Sequence, residues 1–145
     1  MVDDLYQEII IDHSKRPRNC HPMADANRKA EGYNPLCGDE LKLYLKIEND
    51  IVKDVSFVGS GCAISTASAS LMTESLKGKS REESLKLLEK FHELLTTDTP
   101  VTQELGKLVV FCGVRDYPAR VKCATLAWHT LKSALTNSGE PVSTE

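Results

Sequence analysis

The chain has 145 residues, 41% of them apolar and 27% charged, which fits one domain around one hydrophobic core. A formal net charge of −3 and only 6% aromatic residues argue against binding through phosphate contacts or base stacking. No apolar run approaches the ~20 residues of a membrane span. The acidic start, Met1-Val2-Asp3-Asp4, is unlike a signal peptide, so a cytoplasmic chain is expected. Five cysteines, an odd number, disfavour a disulfide framework there and point to metal or thiol chemistry.

Residues 3–13 read as a helix, capped by Asp3 or Asp4, with Leu5, Tyr6, Ile9, Ile10 and His13 at helical spacing. The Leu5, Ile9, Ile10 stripe is most simply core, with partner docking the other reading. Pro17 ends anything helical, and residues 15–27 form a connector. Residues 28–34 are a weak strand candidate. Residues 40–48 alternate, with Leu41, Leu43, Leu45 and Ile47 on one face and Lys42, Tyr44, Lys46 and Glu48 on the other. Asn49-Asp50 turns the chain, and residues 51–58 return with Ile51, Val55 and Phe57 on one face. An antiparallel meander with one buried face follows.

Helices come next. Cys62 opens an Ala/Ser-rich helix that runs to about Leu76 and is stopped by Gly78. This helix is most simply close-packed, with its hydroxyls as a polar lining the lesser reading. Ser80-Arg81-Glu82-Glu83 is a capping box for a helix to about Leu95, and the charges from Lys77 to Lys90 are its solvated face. After a break from Thr96 to Pro100, a short helix covers about 102–111. Asp116 or Tyr117 caps a last helix over about 118–135, with Pro118 in its first turn. Strands followed by helices predict an α+β fold: a three-stranded antiparallel sheet packed against helices, with a helical C-terminal half. Residues 1–135 form a single domain, and 136–145 are a polar tail expected to be disordered.

Three cysteines stand out. Cys37-Gly38-Asp39 occupies a loop between two strands, and Gly38 lets both flanking side chains turn toward one point. A thiolate and a carboxylate so placed suit a borderline-soft cation. Cys62 follows Gly59-Ser60-Gly61 at a helix N-terminus, where free amides and the helix dipole favour a thiolate. Strands 40–48 and 51–58 run out and back, so Cys37 and Cys62 return to one end of the sheet. Cys123 lies beside Arg120 and Lys122, two cations that support a thiolate, but no local pattern places it near the others. Joined to them it would complete three Cys and one Asp, a zinc shell. The competing reading of any single cysteine is a small core hydrophobe. Cys112 reads as core and Cys20 as an incidental surface thiol. None of the four histidines is expected as a ligand. His13 ends the first helix, where a cation suits the dipole, His21 is in a loop, and His92 and His129 are surface or boundary residues.

The motifs Asp12-His13-Ser14-Lys15-Arg16-Pro17-Arg18-Asn19, Asn34-Pro35-Leu36-Cys37-Gly38-Asp39, Gly59-Ser60-Gly61-Cys62-Ala63-Ile64-Ser65 and Arg120-Val121-Lys122-Cys123-Ala124-Thr125-Leu126-Ala127-Trp128, with Leu5-Tyr6 before them, resemble the IscU/NifU-N-terminal family of iron–sulfur cluster assembly proteins over nearly the whole chain. Within it the sequence is similar to the SufU branch. Lys122 stands before the third cysteine where IscU proteins carry a histidine, the Leu-Pro-Pro-Val-Lys chaperone-recognition motif is absent, and the segment from Cys62 to Cys123 is long. The resemblance implies zinc held by Cys37, Asp39, Cys62 and Cys123. It also implies a PLP-dependent cysteine desulfurase of the SufS type as partner, downstream iron–sulfur assembly proteins, and a role for Arg120 at the acceptor thiol or the partner. No Hsp70-type chaperone is expected. Cys37, on the Gly-flanked loop, is the expected sulfur acceptor. Three classes stay open at this point: a zinc-dependent sulfur acceptor, a scaffold building a [2Fe–2S] cluster at the same ligands, and a zinc-stapled interaction module.

Overall fold

The computed structural model describes residues 2–35, 38–97, 103–115, 117–136 and 142–143. Cys37, Asp116, residues 98–102 and most of the tail lie outside the described residues, as does the side chain of Leu5. No helix among the described residues is long and apolar enough to cross a membrane.

Helix α1 spans Val2–Lys15, and the connector that follows leads to strand β1, Arg28–Asn34. Strands β2 (Asp39–Glu48) and β3 (Ile51–Ser60) form the predicted hairpin. Asn49 and Asp50 adopt φ of 52° and 63°, the two left-handed residues of a tight turn whose twist matches that of its strands. Leu41, Leu43 and Leu45 are buried as the alternation requires.

The β3 pattern departs from expectation at its start. The register shifts between Lys46 and Ile47, pairing Lys46 with Asp54 and Ile47 with Val52, so Lys53 bulges out. A bulge reverses the facing of every residue before it. Val52 is therefore buried in place of the expected Ile51, while Val55 and Phe57 face inward as predicted.

The sheet order is β3-β2-β1-β4, with β1–β2–β3 antiparallel. The fourth member, β4 (Val142–Ser143), lies in the segment expected as tail and pairs in parallel with Gly32 and Tyr33 of β1. The outer edge of β3 is capped by backbone bonds from elsewhere. Phe57 N–H donates to Asn19 O at 2.9 Å, and Val52 N–H donates to Lys79 O at 2.8 Å. Capping removes an open edge that would otherwise pair with other chains.

Helices α2 (Ala63–Leu76) and α4 (Pro118–Thr136) cover the apolar face of the sheet. Gly32 lets α4 sit tight on β1, because an added Cβ would overlap Thr130 Oγ1. Helix α3 (Arg81–Thr96) carries the predicted capping box, Ser80 Oγ accepting Glu83 N–H and Ser80 N–H donating to Glu83 Oε1, both at 3.1 Å. Its Leu87, Phe91, Leu94 and Leu95 are buried, and Phe91 stacks on Trp128 of α4 at 4.5 Å between centroids. The helix expected over 102–111 is instead a 3-10 segment, Gln103–Val114, kinked at Gly106, whose φ of 54° breaks α-helical bonding. Tyr117 caps α4, its carbonyl accepting Val121 N–H at 3.0 Å.

Helix α2 is close-packed, as expected, and its hydroxyls are bonded within that packing. Ser65, Ser68, Ser70 and Thr73 are buried, and the last three are spent on fixed bonds. Ser68 Oγ donates to Ala124 O at 2.6 Å and accepts Trp128 Nε1–H at 3.1 Å, tying α2 to α4.

Candidate metal centre

The hairpin returns the chain to the end of the sheet where β1 hands over to β2. Asn34 pairs with Asp39 across that end, Glu40 pairs with Ser60, and Cys62 follows two residues later. Gly38, at φ 72°, makes the reversal that aims Asp39 inward. Asp39 is 1% exposed, and a buried carboxylate needs partners. It has them: Oδ1 accepts the Cys62 N–H at 2.8 Å, and Oδ2 accepts Asn34 Nδ2 at 3.4 Å. Gly61 is required for this approach, since an added Cβ would overlap Asp39 Oδ1.

Cys62 is the N-cap of α2, its Sγ accepting Ser65 N–H at 3.4 Å. Helix α4 brings in Cys123, 3% exposed, with Asn34 Nδ2 3.6 Å from its Sγ. The carboxylate of Asp39 and the sulfurs of Cys62 and Cys123 all lie within 4.8 Å of one another. Two sulfurs and one oxygen converging on a point suit a tetrahedral ion with bonds of about 2.3 Å to sulfur and about 2.0–2.2 Å to oxygen. The donor set therefore fits zinc, and its thiolates equally suit an iron–sulfur cluster. Among the described residues this is the cluster of three or more metal-ligating groups, and it contains no histidine.

Of the expected site residues, the structure gathers Asp39, Cys62 and Cys123. Cys37 lies outside the described residues, two positions before Asp39 in the same loop. Arg120 stands exposed at the start of α4, its guanidinium 4.8 Å from the Tyr117 ring centroid. It sits on the rim of a groove of about 470 Å³ whose walls include Ile10 and Ile11 of α1, Ile64 of α2 and Val114. The sequence reading passed over Asn34, which is fully buried and bonds both Asp39 and Cys123. Its signal was present in the Asn-Pro that introduces the Cys-Gly-Asp loop, where a polar strand end beside ligands suggests a supporting shell.

The other cysteines and histidines divide differently. Cys20 is exposed and Cys112 is half-buried against the core. His13 was expected as a helix-end cation, but it is 2% exposed and bonded to Ser70, because α1 packs its last turn onto α2. Burial holds its pKa below the usual 6.5, so it is neutral rather than cationic near pH 7. His92 is exposed and His129 half-buried, their rings 6.0 Å apart.

An inward Asp39 on β2, Cys62 capping α2 behind a Gly-Ser-Gly turn, and Cys123 on the closing helix α4 converge from three elements. The NifU-like N-terminal domain model matches residues 5–124, which spans all of them. The chain belongs to that family. Its NifU-like N-terminal domain is 42% identical over 138 residues to the iron–sulfur cluster assembly scaffold protein IscU of Streptococcus pyogenes serotype M1, covering 94% of this chain and 86% of the relative. It is 40% identical over 135 residues to the zinc-dependent sulfurtransferase SufU of Bacillus subtilis, covering 92% and 91%. A crystal structure from Fervidobacterium islandicum AW-1, described as a candidate scaffold protein for the SUF system, superposes with a TM-score of 0.84 at 37% identity, covering 93% and 99%. The NifU-like N-terminal family is one of iron–sulfur cluster assembly proteins, and the α+β sheet-and-helix arrangement is its fold.

Proposed function

We propose that this protein is a zinc-dependent sulfur acceptor that takes sulfane sulfur from a PLP-dependent cysteine desulfurase of the SufS type and passes it to downstream iron–sulfur assembly proteins. The observation that carries the reading is the convergence of Asp39, Cys62 and Cys123 beside the loop that bears Cys37. The B. subtilis relative, itself named a zinc-dependent sulfurtransferase, supports it. So does Lys122 directly before Cys123, where a histidine marks the IscU pattern.

Cys37, Asp39, Cys62 and Cys123 would hold the zinc, which keeps bound thiols in the thiolate form. Asp39 is the hardest donor of the four, and a purely structural site would more naturally use Cys and His alone. The transfer itself is an exchange at sulfur. The Cys37 thiolate attacks the terminal sulfur of the donor persulfide, a Cys37 Sγ–S bond forms, the donor S–S bond breaks, and its electron pair stays on the donor thiolate. No net oxidation occurs. To Arg120, which lines the groove three residues before Cys123, we assign contact with the partner or the anionic persulfide.

The second reading is a scaffold that assembles a [2Fe–2S] cluster at the same ligands, supported by the S. pyogenes relative named for that role. Elemental analysis of anaerobically purified protein, with desulfurase turnover measured in its presence and absence, separates the two. About one zinc per chain, with turnover stimulated and the stimulation lost in Cys37→Ala, is the expected result. Equal iron and sulfide with little zinc would install the scaffold reading instead.

A further inference from the structure

Helices α3 and α4 bring together two histidines that the ligand cluster does not use. His92 of α3 and His129 of α4 meet with ring centroids 6.0 Å apart and planes at 67°. Their places are set by the residues just before them. Phe91 and Trp128 stack at 4.5 Å between centroids, and both are buried in the core. Each of these aromatics is followed directly by one of the histidines. The core stack fixes α3 against α4, and the same register carries the two imidazoles to the outer rim of that contact, where His92 is exposed and His129 half-buried.

We propose that His92 and His129 form a second, exchangeable cation site that takes a borderline divalent transition-metal ion such as zinc, with water completing the shell. Neutral imidazole is a preferred ligand for such ions. Two imidazoles on one tetrahedral ion, bound at about 2.0–2.1 Å, have ring centres roughly 5 Å apart. The observed 6.0 Å closes to that by small side-chain rotations, because the ring torsion of histidine is soft. His129 is already in the metal-binding form. Burial, with His92 and Lys132 adding to it, holds its pKa below the usual 6.5, so the ring is neutral near pH 7.

The shell explains why the site is exchangeable. Among the described residues the pair belongs to no group of three ligands, whereas a structural zinc site uses four. Lys132, on the same helix as His129, opposes a cation there as it opposes the proton. The pair shares no residue with Asp39, Cys62 and Cys123. It does share a helix, since His129 lies six positions after Cys123 on α4, about 9 Å along the axis. An ion on the pair ties α3 to the helix that carries Cys123 and stabilises the folded chain by mass action. The site stands whether or not the sulfur-acceptor reading does.

The test is an NMR titration of the full chain with zinc chloride at about pH 7.5, begun after the Asp39 centre has been filled with zinc. The ring signals of His92 and His129 are expected to shift and saturate together, at lower zinc than the signal of His21, a lone exposed loop histidine. His92→Ala should weaken zinc binding at His129 at least about tenfold, because one imidazole has lost its chelate partner. His92 is exposed, so this variant keeps the fold. The added zinc should also raise the urea midpoint of wild type and leave that of His92→Ala in place. A response of the pair no tighter than that of His21 overturns the proposal. So does unchanged zinc binding at His129 in His92→Ala, or a midpoint that rises equally in both proteins or in neither, and the ring contact is then packing alone.

Discussion

Asp39 Oδ1 accepts the main-chain N–H of Cys62 at 2.8 Å, which locks the carboxylate of β2 to the residue that opens α2. This bond joins the sheet end to the helix start, so the ligand spacing is set before any ion binds. A ligand that is itself held by a second residue needs less ordering on metal binding, which favours affinity.

Removing the support of that ligand should therefore weaken the metal. Asn34→Ala takes one amide from both Asp39 and Cys123 while leaving every ligand in place. Zinc affinity is expected to drop about 10- to 100-fold, the usual scale for an outer-shell partner. Competition with a chromophoric chelator measures it. An unchanged affinity would make Asn34 a strand-end residue only.

Asp39→Ala goes further. It removes the carboxylate from the proposed Cys37, Asp39, Cys62 and Cys123 set and leaves the Cys62 N–H without that acceptor. An iron-loaded form of this variant should hold a cluster more tenaciously than wild type, because the hardest and most exchangeable donor is gone. Cluster transfer to an apo-ferredoxin, followed by absorbance, gives the rate. Equal rates in both proteins would mean that Asp39 does not control release.

Gly61→Ala probes the same closeness by sterics. The new Cβ would overlap Asp39 Oδ1 and sit 3.1 Å from its Cβ and Cγ, so the carboxylate must move. Metal stoichiometry should fall sharply while far-UV circular dichroism is preserved. Gly113→Ala is the control, because a Cβ there meets open space.

Ser68→Ala tests the strut that carries Cys123. Ser68 Oγ serves both Ala124 O and Trp128 Nε1, and its loss leaves two buried groups without that partner. A cost of about 2–4 kcal/mol is expected in guanidinium unfolding. Ala124 adjoins Cys123, so zinc affinity should fall as well, a coupling that a remote core variant of equal cost would lack.

Stability of the metal-free protein should decline as the solution is acidified below about pH 6.5. Burial depresses the pKa of His13 and of His129, the latter helped by His92 and Lys132. The unfolded chain then binds more protons than the folded one between 6.5 and the lowered folded values, and stability falls with pH across that window. Urea midpoints at about pH 7.5 and about pH 5.5 show it, and His13→Asn together with His129→Gln should flatten the slope.

Local features were legible in the sequence because local chemistry decides them. The Ser80–Glu83 capping box, the Asn49-Asp50 turn and the inward Leu41, Leu43 and Leu45 each depend on residues a few positions apart. The bulge at Lys53 was not legible, since it arises from the pairing register of two strands and reassigned Val52 to the core. Nor was the 3-10 form of Gln103–Val114, where the left-handed turn at Gly106 overrode helical spacing.

The candidate site divides along the same line. The loop of Cys37 and Asp39 could be brought to one sheet end with Cys62 from the hairpin alone, because out-and-back strands return the chain to its start. Cys123 could not be placed that way. It reaches the site through α4 lying on β1, and the contact that records this, Asn34 Nδ2 to Cys123 Sγ, joins residues 89 positions apart. His13 follows the same rule, its bond to Ser70 spanning 57 positions and making a helix-end histidine, where a cation suits the dipole, a buried neutral ring. The sequence by itself determined three of the strands, the caps at Ser80 and Tyr117, the hairpin and the family resemblance, which rest on neighbouring residues and motif order. The pairing of β4 was not legible, nor was a first helix that starts at Val2, ahead of the expected Asp3 or Asp4 cap. The tertiary structure decided which distant side chains share one buried point, because burial and charge state depend on how helices pack over a sheet.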